Sequence, residues 1–126
     1  MSLPFIVNWL LAWLPWNTVQ QHNIGAQYAT GDCVRQNNVC AARWYRRAAR
    51  NGDAESQYDL GFMYLLGDGV QHNSNTGVYW LERSVKQGNQ QAIKLLADIL
   101  RDGTYGVETD LKRSDELYKL ADKNKG

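Results

Sequence analysis

The chain has 126 residues, 44% of them apolar and 21% charged, with 14 basic against 13 acidic side chains and a formal net charge of +1. That length fits one domain, able to bury roughly two thirds of its unfolded surface without a metal to hold it together. The balanced charge argues against a dedicated duplex binder, and Cys33 and Cys40, without CxxC or paired Cys/His spacing, argue against a zinc or thioredoxin-type site.

The first sixteen residues, MSLPFIVNWLLAWLPW, hold both prolines of the chain, Pro4 and Pro15. The apolar run from Phe5 to Leu14 is too short for a membrane span of ~20 residues, and it lacks the basic start and small-residue cleavage site of a secretory signal. It is expected to form an apolar capping helix over 1–16. The alternatives are a remnant of an export segment, or a membrane or partner contact through Trp9, Trp13 and Trp16, spaced i, i+4 and i+7. A weak homodimer through Trp9 and Trp13 belongs to the same reading.

From residue 17 onward the chain repeats itself. Trp44 recurs as Trp80, Gly52 as Gly88, Gly25 as Gly61, Tyr28 as Tyr64 and Gly31 as Gly67, all 36 residues apart. A weaker third copy follows: Gly67 maps to Gly103 and Gly61 to Ala97, and after one extra residue near Tyr105, Val70 maps to Val107 and Trp80 to Leu117. The expected units are 17–52, 53–88 and 89–126. Asn17, Asp53 and Asn89 open them with side chains suited to N-capping, while Gly52 and Gly88 supply a residue that ends the preceding helix.

Each unit reads as helix, turn, helix. In the central one the first helix is expected over Ala54 to Leu66, with Ser56, Leu60, Gly61 and Tyr64 on one face. GDGVQHN is the turn, and the second helix begins at Asn73. That helix carries Gly77, Trp80, Leu81, Ser84 and Val85 on one stripe, the spacing of an amphipathic helix. Small residues facing a large Trp imply close helix crossings, and no alternating run argues for a strand. One such hairpin cannot bury its stripe alone, so the units must stack. The expected fold is all-α, a short α-solenoid of antiparallel helix pairs.

The residues Leu60, Gly61, Met63, Tyr64, Gly67, Gly69, Val70, Asn73, Trp80 and Gly88 resemble the Sel1-like repeat, a relative of the tetratricopeptide repeat. A first copy reads Gly25, Tyr28, Gly31, Val34, Asn37, Ala41, Trp44, Ala48, Ala49 and Gly52. The resemblance covers residues 17 to about 122. It implies a right-handed solenoid that holds partner proteins or peptides, often bacterial and frequently outside the cytoplasm. Relatives rich in cysteine bridge their helices, but at other repeat positions than Cys33 and Cys40. A local disulfide across the first turn and two packed free thiols both remain open; the disulfide would favour an oxidising, periplasmic or exported setting.

Arg43, Arg46, Arg47 and Arg50 lie opposite the stripe of Ala41, Trp44, Tyr45, Ala48 and Ala49, and read as the solvated face of a helix. An anionic partner surface is the second reading of the same cluster. Neither His22 nor His72 has a nucleophile and a carboxylate at a defensible spacing, and there is no P-loop or GxGxxG. No cofactor, metal or nucleic acid is therefore called for. In such solenoids the first helices line the concave surface, which places the partner-binding residues at Tyr58, Asp59 and Phe62, with His22 and Ala26 in the first unit and Lys94 and Asp98 in the third. The expected function is a non-enzymatic protein-interaction module, with an immunity or adaptor protein as one specific form. A cell-wall-related hydrolase and a fragment of a larger scaffold are the alternatives.

Overall fold

A computed structural model of the chain describes Leu14 and residues 17–124. The 1–16 capping helix and the contacts drawn through Trp9, Trp13 and Trp16 lie outside the described residues. Among the described residues six helices follow one another: α1 Thr18–Thr30, α2 Asn38–Arg50, α3 Ala54–Leu66, α4 Ser74–Lys86, α5 Gln90–Asp102 and α6 Leu111–Lys123. There is no strand among the described residues. The helices pair as α1/α2, α3/α4 and α5/α6, and each pair stacks on the next through α2 against α3 and α4 against α5.

Local chemistry sets every boundary. Asn17, Asp53 and Asn89 accept hydrogen bonds from the backbone N–H of Gln20, Ser56 and Ala92, as their repeat position predicts. Asn37, Asn73 and Asp110 do the same for the second helices. Such a cap satisfies an N–H that the helix itself cannot, and is worth about 1 kcal/mol. The first helices end on Gly31, Gly67 and Gly103 in the left-handed region, each N–H bonded back to a carbonyl four residues earlier.

The α3/α4 crossing depends on two missing side chains. A Cβ on Gly61 would stand 2.9 Å from the carbonyl oxygen of Gly77, and one on Gly77 would stand 2.7 Å from Leu65. Their absence lets the backbones approach and seats Leu81 and Leu65 against the pair, both buried. In the third unit Ala97 and Ser114 occupy the equivalent places. Both are fully buried, and the Ser114 hydroxyl donates to the Ala97 carbonyl at 2.8 Å. Leu117 fills the Trp80 position with no exposed surface. The departures of the third copy are thus absorbed by a polar bond and a smaller, dry side chain.

Between units the contact changes character along the array. Gln57 is 1% exposed, donates to the Ala49 carbonyl at 3.1 Å and accepts from Gln87 at 2.9 Å. Gln21 repeats this in the first unit, donating to the Leu14 carbonyl and accepting from Asn51. The third unit has Ile93 there, within an apolar cluster that also takes in Leu65, Leu81, Leu96, Ile99 and Leu117. Burial of an amide is costly when its polar atoms lack partners, and in both glutamines the amide nitrogen and the amide oxygen each have one.

Candidate partner-binding surface

The first-helix face carries an aromatic ladder. Tyr58 and Phe62 are one turn apart on α3, and their rings stack with centroids 6.4 Å apart and planes 11° apart. Phe62 then meets Tyr105, from the turn between α5 and α6, edge to face at 6.2 Å. Both geometries are those that aromatic quadrupoles favour. Tyr58 and Phe62 are half-buried and Tyr105 is exposed. Tyr58 also packs on the apolar cluster shared by the second and third units, so its ring supports the fold as well as the surface. Burial, and then the charge of Asp59, push its phenol above the usual tyrosine range.

Beside the ladder sits a charge pair that joins two units. His22 Nε2 on α1 lies 3.0 Å from Asp59 Oδ2 on α3 and 3.8 Å from the exposed Glu55. The hydrogen bond to Asp59 raises the imidazole above its ordinary value, against the opposing effect of burial, with the charges of Asp59, Asp53 and Glu55 adding to the rise. Below that ring lies Tyr45, 5.4 Å away between centroids, whose phenol is pushed up by burial and by Asp59.

The predicted residues therefore fall into groups. Tyr58 with Phe62, and His22 with Asp59, are in direct contact. Ala26 is half-buried one turn beyond His22, and Lys94 is exposed on α5. Asp98 is engaged within its own unit, accepting from the Tyr118 hydroxyl and lying 3.8 Å from Arg101. Tyr105 was missed. It lies at φ 57° in the third turn, where the chain carries one extra residue, and an aromatic in that lengthened turn was the available signal.

Cys33 and Cys40 are both free thiols in this structure, Cys33 exposed and Cys40 half-buried. Cys33 takes the place of Gly69 and retains its left-handed backbone at φ 62°, a conformation that costs an L-residue roughly 1–2 kcal/mol. The arginines are not one uniform wet face. Arg43 and Arg50 are exposed, whereas Arg46 and Arg47 are half-buried, and Arg46 Nη2 donates to the Tyr64 hydroxyl at 2.8 Å. Among the described residues no three His, Cys, Asp or Glu side chains are grouped to hold a metal, and no helix is long and apolar enough to cross a membrane.

The pattern of the Sel1 repeat matches residues 21–53, 54–89 and 90–121. Among solved structures, a Sel1 repeat protein from Oxalobacter formigenes superposes with a TM-score of 0.81 at 31% identity, over 86% of this chain and 44% of that one. The protective antigen c5321, present in uropathogenic Escherichia coli strains and displaying an SLR fold, gives 0.80 at 28% identity, over 86% of this chain and 23% of that one. The chain spans less than half the length of either. No curated protein matches it significantly in sequence. Sel1-like repeats are generally protein–protein interaction modules, typically non-enzymatic scaffolds. With three matched units, a stacked helix-pair fold and solved neighbours of the same kind, this chain belongs to the Sel1 repeat family.

Proposed function

We propose that the chain is a non-enzymatic module that captures a partner protein or peptide on the concave first-helix face, with Tyr58 and Phe62 at its centre. The observation that carries this reading is the ladder of Tyr58, Phe62 and Tyr105, which offers half-open aromatic area preordered by its own stacking. Aromatic anchors of this sort dominate interface energies because they bury large area at little entropic cost. His22, Asp59, Ala26, Lys94 and Asp98 form the mixed rim, and the His22–Asp59 pair holds α1 against α3 so that the rim keeps its shape. An immunity or adaptor protein that sequesters a toxin or an enzyme is the specific form this takes.

Affinity capture on immobilised protein, with the bound partner identified by mass spectrometry, tests the reading. The Phe62→Ser/Tyr105→Ser double variant is expected to lose the partner while its helical circular dichroism stays at the wild-type value. Tyr58→Ala is the less clean probe, since that ring also packs on the core. Undiminished capture by the double variant would place the binding surface elsewhere.

A further inference from the structure

The second-helix side of the array has two grooves at equivalent repeat positions. One, about 580 Å³, lies where α2 meets the second turn and α4, and Arg43, Arg46, Tyr64, Val70, His72 and Thr76 line it. The other, about 860 Å³, lies where α4 meets the third turn and α6, with Val78, Leu100, Val107 and Asp110 among its walls. Tyr64 corresponds to Leu100 and Val70 to Val107, so the two grooves are one architectural feature used twice.

They differ in how charge is closed. Arg46 corresponds to Glu82, 36 residues on, and Thr76 to Arg113, 37 residues on because of the inserted residue. At the second junction Glu82 accepts two hydrogen bonds from Arg113, at 2.7 and 3.2 Å, and the pair is neutral within the array. At the first junction the sign is reversed and the partner is missing: the cation stands at Arg46, and a neutral threonine stands where its counter-charge belongs. Arg46 donates to the Tyr64 phenol instead. Among the described residues no carboxylate forms an ion pair with Arg43, Arg46 or Arg50.

The surrounding charge sharpens this. Residues 17–52 hold five arginines and one aspartate, whereas residues 53–88 hold two basic and five acidic side chains. The arginines from Arg43 to Arg50 span about 10 Å of helix axis, too short a track for a long polyanion, which would also meet the acidic second unit. A planar guanidinium suits a carboxylate held by paired hydrogen bonds. We propose that the groove of Arg43 and Arg46 is a second recognition site, which takes an acidic segment of a partner polypeptide and seats one of its carboxylates opposite Arg46, where the next junction has its own ion pair. This site is independent of the aromatic ladder.

Binding of a fluorescent hexaglutamate peptide, followed by anisotropy in about 50 mM salt, where exposed charges are weakly screened, provides the test. The wild-type protein is expected to bind it and to ignore hexaglutamine. Thr76→Glu, which installs the missing counter-charge at the start of α4 and suits the helix N-terminus, should weaken binding roughly tenfold or more, a loss of ~1.4 kcal/mol. Arg43→Gln/Arg46→Gln should do the same, while Phe62→Ser/Tyr105→Ser should leave hexaglutamate binding unchanged. Absence of wild-type binding, equal binding by the Thr76→Glu protein, or tighter binding of oligouridylate by the same arginines would each overturn the proposal. Because Thr76→Glu adds a helix-compatible pair, its failure to bind cannot be ascribed to unfolding if its melting temperature is at or above the wild-type value.

Discussion

The second and third units meet the same packing demand with different residues. At the crossing of its two helices the second unit uses Gly61 and Gly77 against Leu65 and Leu81, while the third uses Ala97 and Ser114, joined by a hydrogen bond. Two glycines allow a close approach of the backbones, and the larger pair is held by a hydrogen bond between its members. The same two-way choice marks the junctions, one closed by Glu82 and Arg113 and the other ending on Arg46 and Tyr64.

The largest effect should come from forcing the second unit to resemble the third one residue at a time. Gly61→Ala places a Cβ 2.9 Å from a backbone oxygen and is expected to cost about 1–3 kcal/mol by overpacking. The reverse change, Ala97→Gly, should cost about 1 kcal/mol, the ordinary penalty of glycine in a helix. Urea titration of both variants measures the contrast, and equal losses would mean that the two crossings are packed alike. Cys33→Gly carries the first turn over to the glycine of the second and should stabilise by about 1 kcal/mol, because it relieves a left-handed backbone. A lower urea midpoint for that variant would show that the thiol makes a compensating contact.

Smaller effects follow at the charge pairs. Glu82→Gln should lower stability by about 0.5–1 kcal/mol, as expected for a pair that remains about one third exposed, and the loss should shrink in high salt. The His22–Asp59 pair gives a pH signature. Its folded imidazole lies above the ordinary 6.5, so its contribution is fully present below the unfolded value and fades as pH rises through the higher folded value. Stability of the wild type should therefore decline from about pH 6.5 upward relative to His22→Asn, and parallel curves for the two proteins would remove the pair from the account.

Much of this architecture was legible beforehand. Asn17, Asp53 and Asn89 announced helix starts because an N-cap is decided within three residues, and the first helix of the central unit begins and ends where the 36-residue pattern puts it. The candidate surface was only half legible. Tyr58 and Phe62 meet because they are four apart on one helix, a fact of helical geometry. That Tyr105 completes their ladder, that Asp98 is drawn away to Tyr118, and that Arg46 leaves solvent for Tyr64 all depend on neighbours in other helices.

The sequence alone determined the helix pairs, their period and their close crossings, because caps, stripes and small residues act over a few positions and recur in register. Only the tertiary structure decided which charges find partners. Glu82 and Arg113 are 31 residues apart, and Phe62 and Tyr105 are 43 apart. Whether such side chains touch depends on how far one unit is rotated on the next and on the single residue inserted in the third turn, quantities set by the stacked backbones and by no stretch of sequence on its own.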